Sequence, residues 1–515
     1  MPDREGMGMV PRDPASLENA ESHLEKEMDE TEFVQLTTPF GKLRGAKRGG
    51  VAAFRRVPYA EAPVGARRFQ MPVAPVRWPG VRDAVAAGPI PPQLPSRLDD
   101  VMGAYQAEQS EDCLHVDIWT AHKEGDGAPV LVFIHGGGFM TGGGSLPCYD
   151  GSLLAKENGL VVVTISYRIG LLGLWPQPDF GRLNLMLHDQ LAALRWIKAA
   201  IGSFGGDPGR ITVAGQSAGA YSIAAHLGSP ENKDLFARAV MMSAPLGITL
   251  RTVEQSRPGA SAILDALGIG ANEVGKLRTM PIAQILDGLQ IAAKRPPAFK
   301  GDITPPFNPT LDDCLLPDQP ITAIRSGSGA WCDVIVGVTR EEFSAFSAGN
   351  PALDKLADDE LKPLFEAELG DEATAAIVRY RSGRVPATPR AILGDFHTDG
   401  IFGTSLEIAS VQSGLGRKTY AYSFDWQSPN PALAACHCID LPFLFGNIGT
   451  WKAAPMLAGA DEQEVTELSQ RFRGAIAAFA ANGDPNGPGL PLWPAFGPHR
   501  VSLHFDRRIS AFAAG

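Results

Sequence analysis

The chain has 515 residues, 44% of them hydrophobic, which is ample for a large core and, on length alone, room for about three domains. A formal charge of -11 with 20% charged residues argues against nucleic acid as the main partner, because phosphate binding needs a basic face. No segment approaches the roughly 18–20 apolar residues of a membrane span, and the six cysteines (Cys113, Cys148, Cys314, Cys332, Cys436 and Cys438) lack a repeated spacing, so no disulfide framework is expected and a reducing, cytoplasmic home fits.

Residues 1–31 are polar, with mixed charges and no continuous apolar run, and read as a flexible arm or an exposed helix starting near Pro14. Residues 34–45 alternate and turn like a β-hairpin, and residues 57–69, punctuated by Pro and Gly, read as a loop over a sheet edge. Residues 114–120 (LHVDIWT) alternate as a strand does. Residues 130–134 (VLVFI) and 160–166 (LVVVTIS) are continuous apolar runs, the pattern of strands covered on both faces. Residues 149–157 read as a helix, and residues 185–201 as an amphipathic helix feeding a further strand at 211–214 (ITVA). Strands follow from 240, at 334–338 and at 420–424. Helical excursions at 258–289 and 354–380 can cap the mouth of a site, and a last helix at 464–481 precedes a short C-terminal sheet piece. This alternation predicts a doubly wound α/β sheet, with residues 32–515 as one large domain.

Between strand 211–214 and an Ala-rich helix running to Leu227 stands Gly215-Gln216-Ser217-Ala218-Gly219. A serine between glycines could be chance. At a sharp strand-to-helix turn it is better read as a nucleophile, its hydroxyl lifted from the core at a helix N-terminus. A serine hydroxyl is a poor nucleophile and needs a base, an acid to orient that base and an oxyanion site. In this architecture they follow a chain order of oxyanion loop, Ser, acid, His. His135-Gly136-Gly137-Gly138 ends the strand at 130–134. Its glycines let backbone N–H groups approach an oxyanion, so Gly137, Gly138 and the N–H of Ala218 are the candidate donors, with His135 ordering the loop. A phosphate cradle is a poor match, since no Lys-Ser/Thr pair follows and the glycines are not spaced G-x-G-x-x-G.

An acid at the C-terminal end of strand 334–338 lies on the catalytic rim of such a sheet. Glu341 and Glu342 both qualify, only one can point inward, and Thr339 with Glu342 also fits an ordinary capping box. Among the histidines after Ser217, His226 is on the nucleophile's own helix and cannot reach. His397 lies in a helix-like stretch, and His499 and His504 fall in the terminal sheet piece. His437 is in a loop after strand 420–424, where a base can shuttle a proton. Cys436 and Cys438 flank it, but no fourth ligand cluster is in view, so they read as packing residues rather than metal ligands.

The stretch F-G-G-x4-I-x-V-x-G-Q-S-A-G at 204–219 resembles the active-site signature of the type-B carboxylesterases, the family of cholinesterases and bacterial p-nitrobenzyl esterases. E-D-C-L-H-V-D-I-W at 111–119 resembles the second family signature, with His115 where Tyr is usual. P-Y-A-E-A-P-V-G at 58–65, H-G-G-G-F at 135–139, N-L-M-L-H-D-Q at 184–190 and G-D-P-N at 483–486 extend the resemblance over nearly the whole chain from about residue 34. It implies an α/β-hydrolase fold with a Ser-Glu-His triad. A pattern like T-R-D-E-G maps the acid to Glu342, with Phe343 replacing the usual Gly, and H-x-x-D/E-L-P-F maps the base to His437. Two departures stand out. The G-P-x-C-P-Q motif that bridges to the cysteine matching Cys113 reads Gly88-Pro89-Ile90-Pro91-Pro92-Gln93 here, so that disulfide is absent. No Trp occurs between 91 and 112 for a choline cation.

The expectation is a serine hydrolase of small-molecule carboxylic esters, with no cofactor, metal, nucleic acid or membrane partner. Ser217, His437 and Glu342 form the triad, Gly137, Gly138 and Ala218 the oxyanion hole, and Phe139, Met140 and Phe343 line the substrate pocket. The alternatives are an amidase or carbamate hydrolase using the same triad, and a catalytically silent binding protein on this fold.

Overall fold

The strand-length apolar runs assemble into one twisted frame. In the computed structural model, which describes residues 32–293 and 307–513, thirteen strands form a single sheet. In chain order they are β1 (Glu32–Thr38), β2 (Gly41–Arg48), β3 (Val51–Pro58), β4 (Val81–Asp83), β5 (His115–Thr120), β6 (Ala128–Ile134), β7 (Val161–Ile165), β8 (Gly206–Gln216), β9 (Arg238–Met242), β10 (Asp333–Thr339), β11 (Thr419–Phe424), β12 (Val501–Phe505) and β13 (Ser510–Ala513). The spatial order is β1-β2-β3-β5-β7-β6-β8-β9-β10-β11-β12-β13, with β4 beside β2. From β7 to β12 every pairing is parallel. The pairings outside that block are antiparallel, apart from β2 with β4. The hairpin expected at 34–45 is β1–β2, with Val34 opposite Gly45. Residues 57 and 58 belong to β3 rather than to the irregular segment after it. The predicted arm at 1–31 lies outside the described residues.

Successive residues of a strand face opposite sides of a sheet, and the core divides accordingly. Val130, Val132 and Ile134 of β6, Val161, Val163 and Ile165 of β7, and Val334 and Val336 of β10 enter one apolar layer. Leu131, Phe133, Val162 and Ile335 enter the other. The first layer is covered by α2 (Leu185–Ala200) and α3 (Ala218–Gly228). The second is covered by α1 (Ser152–Asn158) and the long α9 (Glu462–Asn482). The predicted excursions are α4 (Val253–Ala266) with α5 (Ile282–Ala293), and α6 (Asp358–Leu369) with α7 (Ala373–Ser382). With α8 (Pro389–Thr398), the second pair builds a small satellite core around Leu361, Phe365 and Ile392.

Two elements differ from the sequence expectation. Residues 185–201 read as amphipathic, and the second half of α2 does keep Arg195 and Ala199 exposed, but its first half is buried all round, with His188, Asp189 and Gln190 included. Its Asp189 takes Arg168 in a bidentate pair (Nε–Oδ2 2.7 Å, Nη2–Oδ1 2.6 Å), and Gln190 bonds Ser222 and His226, so the burial is compensated. β5 alternates in sequence but is buried at every position. Its Asp117 accepts from Arg55 Nε and Arg56 N, both at 2.7 Å.

Beyond the C-terminal ends of the central strands the ladder continues for one more rung. Ser217 N donates to Met242 O (2.8 Å), Ser243 N to Gly337 O (2.7 Å), Arg340 N to Phe424 O (3.1 Å) and Asp425 N to Phe505 O (2.8 Å). The residues that leave β8, β9, β10 and β11 are thus fixed to their neighbours by main-chain bonds at the edge where α/β sheets carry their sites.

Candidate active site

β8 passes into α3 at Ser217, held at φ 58° and ψ -124°, a conformation costly for any residue with a Cβ. Its neighbours explain how the turn closes. A Cβ on Gly219 would lie 2.0 Å from the Ile134 carbonyl oxygen, and one on Gly215 would lie 2.7 Å from the Gly219 carbonyl carbon. Only glycine permits that approach of helix to strand. Ala218 opens α3, so its N–H belongs to the first turn that has no intrahelical partner.

β6 ends in the glycine loop. His135 is fully buried, stacks on Tyr167 (ring centroids 4.3 Å apart) and contacts Gly136 O through Nδ1 at 2.8 Å, while Tyr167 O–H donates to His135 O at 2.6 Å. Burial lowers the His135 pKa to about 4, so the ring is neutral at pH 7 and serves as a rigid prop. Gly137 has φ 104° and would drive a Cβ to 2.1 Å from Thr141 O, and Gly138 has φ 59°. From outside, Gln93 clamps the loop by accepting from Gly142 N and donating to Gly142 O, both at 2.8 Å.

β10 ends at Thr339, and the two acids after it diverge. Glu342 is fully buried. Its Oε1 accepts from Thr339 N at 2.7 Å, the backbone half of the capping box, and its Oε2 lies 2.5 Å from His437 Nδ1. Glu341 faces elsewhere, accepting from Ala435 N and Gln427 Nε2 (both 3.0 Å) and pairing with Arg384 (3.2 Å). Glu341 N also bonds Ala435 O at 3.0 Å, which stitches the acid turn to the His437 loop. His437 is fully buried, its ring against Phe346 (5.2 Å) and Phe402 (5.0 Å). Asp440, three residues on, is also buried and accepts from Tyr422 O–H at 2.9 Å. Burial and the Glu342 charge raise its pKa to about 7.

Ser217, Ala218, Gly137, Gly138 and His437 line one cavity of about 840 Å³. Among the described residues Ser217 Oγ makes no hydrogen bond; His437 Nε2 instead meets Gln216 Nε2 at 3.2 Å. Resting active sites are often loose in this way and tighten on substrate. Phe139 and Met140 line the cavity. Phe343 does not. The turn that aims Glu342 inward sends Phe343 into the satellite core, against His397 (4.7 Å), beside a second cavity behind the acid turn. Phe346 and Phe402 line the main cavity instead. Tyr167 carries no signal of a role in the sequence, and Gln216 and Gln93 stand inside the family patterns quoted above without a role being read for either.

The six cysteines are unpaired. His115, at the place of the usual Tyr, contacts Pro89 O through Nε2 at 3.0 Å, and burial lowers its pKa. Among the described residues there is no group of three or more His, Cys, Asp or Glu side chains placed to hold a metal ion, and no helix long and apolar enough to cross a membrane.

The model of the carboxylesterase family matches residues 31–508. The para-nitrobenzyl esterase of Bacillus subtilis is 36% identical over 486 residues, covering 92% of this chain and 95% of that protein. The phenmedipham hydrolase of Pseudarthrobacter oxydans is 35% identical over 463 residues, 89% and 92% respectively. The crystal structure of the carboxylesterase from Geobacillus stearothermophilus superposes with a TM-score of 0.82 at 34% identity, covering 93% of this chain and 97% of that one. An α/β-hydrolase frame carrying a serine at its strand–helix turn, matched along nearly its whole described length, makes the chain a carboxylic-ester hydrolase that belongs to the carboxylesterase family.

Proposed function

We propose that residues 32–515 form one catalytic domain that cleaves small-molecule carboxylic esters through an acyl-enzyme formed on Ser217, with His437 as general base and acid and Glu342 as the group that orients it. The 2.5 Å contact between Glu342 Oε2 and His437 Nδ1, on the wall of the cavity that also holds Ser217, carries this reading. Ser217 Oγ bonds to the ester carbonyl carbon while its proton passes to His437 Nε2. The carbonyl π pair moves onto oxygen, where the N–H groups of Gly137, Gly138 and Ala218 receive it. Collapse breaks the carbon–alkoxy bond, and His437 returns the proton to the departing alcohol. Water then repeats the sequence on the acyl-enzyme, releasing the acid and Ser217. Glu342 favours the Nδ1–H tautomer, which leaves Nε2 free to accept, and stabilises the imidazolium. The cavity that holds the serine is largely apolar, with Phe139, Met140, Tyr221, Phe346, Phe402 and Trp451 in its walls, which suits acyl or alcohol groups that are themselves apolar.

Labelling with an organophosphonate tests this, with an adduct expected at Ser217. Ser217→Ala is expected to lose the adduct and roughly 10⁴–10⁶ in kcat. A chain that leaves the reagent unreacted is a binding protein on this fold. Matched ester and anilide substrates separate ester hydrolysis from amide hydrolysis, and a faster anilide would overturn the ester assignment.

A further inference from the structure

The residue beside the nucleophile has a side chain that the mechanism above does not use. Gln216 ends β8, paired in register with Met242, and is 1% exposed. Its Nε2 lies 3.2 Å from His437 Nε2. Its Oε1 faces the glycine loop, since a Cβ on Gly136 would be 3.0 Å away from it. One buried amide therefore touches the base and lies against the loop that carries the oxyanion donors.

The direction of the contact with His437 follows from chemistry. Nδ1 faces the Glu342 carboxylate and must carry the ring proton, so in the neutral ring Nε2 has only a lone pair. An amide NH₂ can donate to that lone pair. It cannot accept a proton, so an Nε2–H at the same place would face a second donor. The amide contact thus favours the neutral ring with a vacant Nε2, the form a general base needs, and opposes the imidazolium that Glu342 favours.

Resting on the triad reading above, we propose that Gln216 is a positioning residue that holds His437 in its proton-accepting tautomer in the free enzyme and yields Nε2 to Ser217 Oγ when substrate enters. The carboxylate, amide and ring then divide the work. Glu342 fixes Nδ1–H from one side, and Gln216 keeps the opposite nitrogen unprotonated until the serine's proton arrives. The other titratable groups around the ring are Asp440, Cys436 and Cys438 on its own loop, with Tyr422 of β11 reaching it through Asp440. Phe346 and Phe402 add no charge.

The test is the pH profile of kcat/KM for a p-nitrophenyl ester, with active sites counted by phosphonate titration. Gln216→Glu replaces the donor with an anion that an Nε2–H can bond. The acid limb is expected to move up by about one pH unit or more, with most activity recovered above it. Gln216→Met keeps the volume and removes the donor, so a smaller upward shift in the same direction is expected. Profiles of both variants that overlay the wild type would overturn the proposal while leaving the triad reading intact. A wild type that takes no phosphonate at Ser217 would instead sink the triad reading. The wild-type protein gives an independent check through ¹⁵N-labelled histidine. A pyridine-type Nε2 on His437 at neutral pH is expected, and a protonated Nε2 overturns the proposal even if neither variant folds.

Discussion

Replacing Glu342 with Gln removes one charge and almost no volume. Glu342 Oε1 is held by Thr339 N–H at 2.7 Å, and an amide oxygen can keep that bond. The amide nitrogen then faces His437 Nδ1, where the carboxylate stood at 2.5 Å, and as a donor it forces the ring proton to Nε2. Two losses follow. The imidazolium of the transition state loses an anion about 4 Å from its charge centre, worth about 4 kcal/mol at an effective dielectric constant of about 20, or roughly 10³ in rate. The wrong tautomer adds to this, and the same exchange in the serine-protease triad costs about 10⁴. We expect kcat at pH 8 to fall roughly 10³–10⁴-fold, KM to change little, and the melting temperature to stay near that of the wild type. The assay is p-nitrophenyl acetate hydrolysis under saturating substrate. Glu341→Gln is the matched control, since Glu341 serves Arg384, Gln427 and Ala435 rather than the base, and it should keep kcat within about tenfold. A Glu342→Gln enzyme with more than a tenth of wild-type activity, or a Glu341→Gln enzyme equally damaged, would refute the assignment of the acid.

Three further outcomes are expected. Asp440, with its pKa raised to about 7 by burial and the Glu342 charge, contributes stability below its unfolded value near 4 that is lost as pH rises through about 7. Asp440→Asn should therefore flatten the decline in melting temperature between pH 5 and pH 8 and be the more stable protein at pH 8; parallel curves would refute the linkage. Arg168→Leu leaves Asp189 charged and buried, so urea unfolding should show a loss of about 3–5 kcal/mol, with Asp189→Leu added in the same chain restoring part of it. Phe402→Ala should alter the preference among acyl chain lengths. Phe343→Ala should cost about 3–5 kcal/mol of stability without altering that preference.

Most of the frame is legible in the sequence because its signals are local. Continuous apolar runs mark β6, β7 and β10, and the order of motifs along the chain points to the serine turn, the glycine loop, one of two acids and one of several histidines. What the sequence hides depends on the third dimension. Nothing local says that Phe343 turns away from the cavity while Phe346 and Phe402 turn toward it, because the direction is set by where the helical excursion packs. The burial of the first half of α2 on all sides is hidden for a related reason. Its polar residues look solvent-facing until Arg168, Ser222 and His226, brought in by other elements, supply their partners. Between Glu341 and Glu342 only the family resemblance discriminates. A capping box at Thr339 cannot, since the Glu342 carboxylate caps that turn with one oxygen and meets His437 with the other.

The extra rung of main-chain bonds past the ends of β8 to β11 has a consequence for how such an enzyme can change. Those bonds are made by amides and carbonyls, so they are indifferent to the side chains that surround them. Excursions such as α4 with α5, or α6 to α8, can be exchanged between homologous proteins, or lengthened, without disturbing the order in which neighbouring strands hand their next residues to one another. New substrate tolerance is therefore most readily sought in the segments flanking those excursions that reach the cavity, such as those carrying Ile248, Arg251, Phe346 and Phe402, leaving the few positions at the strand tips as they are.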